Sequence, residues 1–170
     1  MSFSRQAAED VARRYLGVSE LFKPLGAGAQ GYVFSSPDNT AVKVFSEPQR
    51  FWSEARAYAR LKQREISEIL GFAVPRMLRC HSKLLVIEMT VVSPPFLVDF
   101  AQATIDKPFD YAEEAGEEEW WRRVEELFED LDQFRTAREV FYELVARAGI
   151  YYYDLAPRNL NFGDPPNIRC

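Results

Sequence analysis

Leu25-Gly26-Ala27-Gly28-Ala29-Gln30-Gly31-Tyr32-Val33-Phe34 is a G-x-G-x-x-G run closed by alternating aromatic and aliphatic residues. With no Cβ in the way, the glycines let backbone N–H groups come close to a chain of phosphates. The alternation from Tyr32 to Phe34 reads as a strand, which puts the glycine run at the tip of a hairpin. A dinucleotide-binding run of the same spelling would open a helix instead. Lys43 follows twelve residues after Gly31, inside Ala41-Val42-Lys43-Val44-Phe45. A cation at that remove on the next strand turns an ordinary glycine-rich hairpin into a candidate nucleotide site.

Outward from this hairpin, the spacing predicts a leading helix from Ser4 to Leu16, with Ala8, Val11, Ala12 and Tyr15 along one face and Gly17 as its stop. Strands are expected over Leu21–Leu25, Tyr32–Ser36 and Thr40–Phe45, with Pro37-Asp38-Asn39 turning the chain between the last two. Ser46 and Gln49 read as the cap of a helix reaching about Gln63, its apolar face made by Phe51, Ala55, Tyr58 and Leu61. Glu54 lies on or beside that face, where a carboxylate needs a cation. Lys43 is one partner for it; Arg50 or Lys62, at a solvated surface, are the others. Ile66 to Phe72 reads as a short helical turn, and Met77–Cys80 and Lys83–Met89 as strands around His81-Ser82. The lone His81 is a surface residue on this reading. After Ser93-Pro94-Pro95 the chain is expected to become helical: Phe96–Ala103, then Glu117–Ala148 as two helices or one bent one, stopped by Gly149. The expected organisation is a leading helix over 1–20, a nucleotide-binding region over 21–92 and a helical part over 93–170.

Gly149 is followed by Ile150-Tyr151-Tyr152-Tyr153-Asp154-Leu155-Ala156-Pro157-Arg158-Asn159. Its D-x-x-x-x-N spacing places a carboxylate and an amide in one tight loop. Phosphoryl transfer uses such a pair, the acid to orient and deprotonate the accepting hydroxyl and the amide to hold Mg²⁺. The glycine run, the strand lysine, Glu54 and this loop, in that order, resemble the protein-kinase-like superfamily. The resemblance spans about residues 20 to 164. It implies an α+β fold, with an N-terminal antiparallel five-stranded sheet carrying one helix and a truncated, mainly helical C-terminal lobe. It further implies that ATP lies against Gly26, Gly28, Gly31, Val33 and Ala41, its phosphates held by Lys43 with Glu54. Ile87 would be the gatekeeper, and backbone groups of Glu88 and Thr90 would hold adenine. Asp154 would be the base and Asn159 the Mg²⁺ ligand.

The chain departs from that pattern. Tyr152 and Tyr153 stand in place of His and Arg, and no D-F-G follows the loop. Asp164, in a turn, is no substitute, and the chain stops at Cys170, about where the metal-binding Asp would fall. Three readings follow: a compact ATP-dependent phosphotransferase acting on a protein or small-molecule hydroxyl, a catalytically impaired pseudokinase-like binding module, or the leading part of a longer kinase. With the rest of the helical lobe missing, the aromatic helices from Trp120 to Val145 are expected to leave a face uncovered, a reason to form a homodimer. At 47% hydrophobic the chain can bury a core, and a net charge of -5 argues against nucleic acid as a partner. No apolar run is long enough for a membrane. Two cysteines, Cys80 and Cys170, are too few for a disulfide framework, so a cytoplasmic setting is expected.

Overall fold

A computed structural model describes residues 3–20, 23–28, 30–108 and 116–163. Its first helix, α1 (Arg5–Leu16), starts at Ser4, whose hydroxyl accepts from the Ala7 N–H, and ends at Gly17 in the left-handed region. Strands β1 (Pro24–Gly28), β2 (Gly31–Ser35) and β3 (Thr40–Phe45) form consecutive hairpins. After helix α2 (Pro48–Gln63), strands β6 (Met77–His81) and β7 (Val86–Thr90) complete a five-stranded antiparallel sheet in the order β1-β2-β3-β7-β6. The α+β class and this sheet are as the sequence implies. The first expected strand, Leu21–Leu25, lies partly outside the described residues; β1 begins at Pro24.

Strand periodicity divides the sheet into two faces. Phe34, Val42, Val44 and Val86 point to one side, where Ala8 and Ala12 of α1 cover them. Ala41, Phe45, Ile87 and Met89 point to the other and pack with Phe51, Ala55, Tyr58 and Leu61 of α2. Lys43 shares this second phase, and so is turned toward α2.

Gly31 shows how tightly the hairpin is set. A Cβ there would sit 2.0 Å from the Val44 carbonyl oxygen, whereas one at Gly26 or Gly28 would meet nothing within 4 Å. Gly31→Ala is therefore expected to cost about 1–3 kcal/mol in urea unfolding, since backbone must move. Gly26→Ala and Gly28→Ala should stay within about 0.5 kcal/mol of the parent. Equal losses at all three positions would contradict this placement of the hairpin.

Several local expectations give way to pairing between distant segments. Ile66 to Phe72 is not a helical turn: β4 (Glu68–Ile69) and β5 (Phe72–Ala73) form a hairpin. Its two-residue turn, Leu70-Gly71, has positive φ at both positions, as a tight hairpin requires. Phe96–Ala103 is not a helix either. Phe96–Leu97 forms β8, parallel to β5 on one side and antiparallel to β11 (Leu160–Asn161) on the other. Ladder partners on both edges outweigh the local helical spacing. A turn at Asp99–Ala103 then leads to β9 (Thr104–Ile105), which pairs with β10 (Ile150–Tyr151). Ser46 does not cap α2; its hydroxyl bonds the Gln30 carbonyl, and Glu47 is the capping residue, with no side-chain hydrogen bond.

Helices α3 (Glu117–Glu125) and α4 (Leu131–Ala148) carry the aromatic stripe. Most of its large residues are covered: Trp120 and Trp121 pack on Phe141 at 5.2 and 5.3 Å, and Trp120 meets Tyr153 at 5.4 Å. Trp120, Trp121 and Phe141 are buried, so of the aromatic face expected to be uncovered as a reason for dimerisation only Tyr142 is exposed among the described residues of these helices, beside Leu127 and Leu131. Among the described residues no helix is long and apolar enough to cross a membrane.

Candidate functional site

The inner face of the sheet, the glycine hairpin and the loop after β10 enclose a cavity of about 470 Å³. Lys43 is its central cation. It sits on the middle strand, between Val33 of β2 and Ile87 of β7. Its Nζ donates to Glu54 Oε2 at 2.6 Å and to Asp99 Oδ1 at 3.0 Å. Of the three partners open in the sequence for Glu54, the structure brings it Lys43. Glu54 reaches the amine because α2 presents Phe51, Glu54, Ala55 and Tyr58 along its buried stripe.

Two carboxylates thus share one ammonium. Burial pushes the fully enclosed Glu54 up to about 7; Lys43 opposes this rise and Asp99 adds to it. Burial would lower Lys43, but the pull of Glu54 and Asp99 carries it above its ordinary value. The consequence for stability has a definite sign. Folding raises the Glu54 pKa above its ordinary 4.5, so the folded chain binds the extra proton and this group's stabilisation is full below that value. It is lost as pH rises toward about 7. Urea midpoints measured across that window should fall with pH in the parent and flatten in Glu54→Gln; matching slopes in the two proteins would refute the assignment.

The glycine hairpin closes one side. Gly26, Ala27, Gly28 and Gly31 line the cavity, and Gln30 reaches across it, its Nε2 3.4 Å from Asp154 Oδ2. The Ser46 N–H and hydroxyl hold the Gln30 carbonyl, which fixes the hairpin tip to the start of α2. Opposite stands the loop Asp154–Asn159. Asn159 Nδ2 donates to the Asp154 carbonyl at 2.9 Å and Arg158 pairs with the Asp154 carboxylate at 3.0 Å. Asn159 and Arg158 reach the cavity wall. Tyr152, standing where a histidine was expected, is wholly buried and donates to the Val98 carbonyl at 2.7 Å. It fastens the loop to the segment that carries Asp99. On the far side, Arg60 of α2 joins Asp106 and the Ala148 carbonyl, holding the end of α4 against the sheet region.

Val33, Ala41 and Thr90 line the cavity with the glycines, but three expected residues do not: Ile87, Glu88 and Asp154, the last of which meets it through Gln30. Ile87 faces inward yet lies opposite Lys43, deeper in the sheet; Met89, two residues on, occupies the cavity wall and accepts from the Tyr58 hydroxyl. Glu88 points to the other face, where Thr40, Tyr15 and Arg79 bond its carboxylate at 2.8, 3.0 and 2.9 Å. Burial would raise its pKa, and these three partners hold it below the usual carboxylate value. The Thr90 N–H is committed to the Arg76 carbonyl at 3.0 Å. The open edge of the cavity is formed by Val91 and Val92.

Sequence reasoning missed Asp99, Gln30 and Met89. Asp99 fell inside a stretch with helical spacing. The one local sign of its strand is the run Phe96-Leu97-Val98 directly after two prolines.

No family model and no curated protein matches the chain. Among solved structures, the streptomycin–ATP–APH(2″)-IIa ternary complex is similar at 11% identity with a TM-score of 0.38. The match covers 71% of this chain and 37% of that one, so the chain spans well under half of the length of that neighbour. A likeness so distant assigns neither ligand nor activity here.

Proposed function

We propose that the cavity binds ATP and that the chain transfers the γ-phosphate to a hydroxyl of a protein or small molecule. The observation that carries this reading is the buried Lys43 amine, paired with Glu54 and opening into a cavity roofed by the glycine hairpin. A buried lysine ion pair inside a pocket is an expensive arrangement for structure alone. Facing a polyphosphate it is productive, because the amine acts there as a fixed point charge.

The remaining parts take roles from their positions. The bare backbone of Gly26 and Gly28 lies against the phosphates, and Gly31 fixes the hairpin. Val33 and Ala41 cover the base, with Met89 behind it in the place first assigned to Ile87. Val91 and Val92 replace Glu88 as the backbone edge that meets adenine, beside the Thr90 carbonyl. Asp154 accepts the proton of the attacking hydroxyl, and Arg158 holds its carboxylate at 3.0 Å. Mg²⁺ suits the site on the chemistry of its donors, which are hard oxygens in a cavity with surplus negative charge. The Asn159 amide oxygen would hold it, and the metal would neutralise phosphate charge.

Release of labelled γ-phosphate from ATP, to water and onto the protein itself, tests the reading, with Asp154→Ala as control. Transfer by the parent and none by the variant is expected. Equal signal from both would defeat it, whereas ATP binding without transfer in the parent would leave a nucleotide-binding module.

A further inference from the structure

We propose that Asp99, on a segment that precedes the Asp154 loop in the chain, supplies the second protein ligand, beside Asn159, for a metal that arrives with the nucleotide. The inference rests on the nucleotide reading above. Its starting point is charge. Lys43 is one amine between two acids, Glu54 at 2.6 Å and Asp99 at 3.0 Å, and it is almost fully enclosed with Glu54. Asp99 is the second acid for a single cation, and where Glu54 is shut in, its side chain keeps 25% exposure at the cavity wall. A pocket for polyphosphate with a surplus carboxylate on its wall repels its ligand unless a cation arrives with it.

The placement of Asp99 is enforced. Its φ is 68, a left-handed conformation uncommon for a residue with a side chain. The flanking residues cannot relax it: the Val98 N–H bonds the Asn159 carbonyl at 3.0 Å, the Val98 carbonyl accepts from Tyr152, and Phe100 is wholly buried against Tyr58 and Tyr152. The β8–β11 register, Leu97 opposite Leu160, sets Asp99 and Asn159 on adjoining backbones. Their oxygens are the hard donors that Mg²⁺ takes.

A second observation points to a ligand at this wall. Gln30, 9% exposed, lines the same cavity, and its Oε1 is the one buried side-chain oxygen among the described residues without a hydrogen-bond partner. Buried amide oxygens are ordinarily satisfied, so one left open at this wall marks a place for a ligand or its hydration shell. Nor is there, among the described residues, a group of three or more acidic, histidine or cysteine side chains able to hold a metal unaided. Two protein oxygens make a half-site, completed by phosphate oxygens, which is how Mg²⁺ is usually held beside nucleotides.

The resulting chain order is distinctive. Strands β8 and β9 flank Asp99 and come before α3 and α4; strands β10 and β11 flank the Asp154–Asn159 loop and come after. The two strand–turn–strand segments pair with each other, β8 with β11 and β9 with β10. Pairing restores in space what the order along the chain separates.

Calorimetric titration with a non-hydrolysable ATP analogue, in Mg²⁺ and in EDTA, tests this in the parent and in Asp99→Asn. Asparagine is at ease at positive φ, so the turn is kept. In the parent, Mg²⁺ should tighten binding at least about tenfold. In Asp99→Asn that gain should vanish, while affinity in EDTA matches or exceeds that of the parent because the surplus charge is gone. A structural role for Asp99 would weaken binding equally in both buffers and would overturn the proposal, as would an undiminished Mg²⁺ gain in the variant. No binding by the parent in either buffer would instead defeat the nucleotide reading on which it rests. A measurement on the parent alone guards against a variant that does not fold. Mn²⁺ added with the analogue should first broaden the amide signals of residues 98–100 and 158–160, and broadening confined to other residues would overturn the assignment.

Discussion

Asp154→Asn is expected to slow phosphate transfer from ATP by about 10²–10⁴-fold, the range for removing a positioned general base, with ATP affinity unchanged. The two effects separate because of how the loop is held. Asn159 bonds the backbone carbonyl of residue 154, not its side chain, so the substitution leaves the loop closed. Gln30 meets Asp154 Oδ2, and the isosteric amide preserves that contact through its oxygen. What is lost is the ability to accept a proton, together with the charge pairing to the exposed Arg158. Steady-state rates at saturating ATP, with affinity measured separately, check the expectation. A fall in affinity with an unchanged rate would show that Asp154 positions nucleotide and does no chemistry.

Lys43→Met should abolish ATP binding and lower unfolding stability by about 3 kcal/mol. Removing one member of a buried ion pair costs about 3–5 kcal/mol, because the other charge is left without compensation. The lower end applies here: Glu54, already raised to about 7, can take up a proton and become neutral. The same reasoning predicts a rescue. Lys43→Met combined with Glu54→Gln should recover part of the stability and none of the binding: the fully enclosed carboxylate is gone, while Asp99, 25% exposed, still loses its cation. Urea midpoints of the parent, the single and the double variants decide this. A Lys43→Met protein as stable as the parent would mean that the pair is more open to water than its geometry shows.

The parts of the site that could be read in the sequence are those set by local spacing. Lys43 on β3, the inward stripe of α2 that holds Glu54, and the Asp154–Asn159 loop after a glycine-capped helix each follow from periodicity or from a turn within a few residues. Asp99 does not. It is positioned by the two-residue strand β8, too short to show alternation, whose existence depends on partners more than twenty residues before it and more than sixty after. The same holds for β4 and β5, where a tight turn overrode helical spacing. Ile87 was displaced by a subtler effect. Ile87 and Met89 both face inward, but which inward residue borders the cavity depends on where β7 leaves the sheet, and Met89 lies nearer that exit. Glu88, expected to contribute backbone groups, is flanked in the sheet by Val42 and Arg79, and its side chain is bound by Tyr15 of α1 and Arg79 of β6 on the opposite face.

Every role assigned to the cavity depends on Lys43 holding a polyphosphate. Calorimetric titration of ATP with Mg²⁺ into the parent and into the Lys43→Met, Glu54→Gln double variant tests that dependence on two folded proteins. Saturable binding of one nucleotide per chain by the parent, and none by the variant, is the predicted result. A parent that takes up no ATP, or a variant that binds as tightly as the parent, would contradict it.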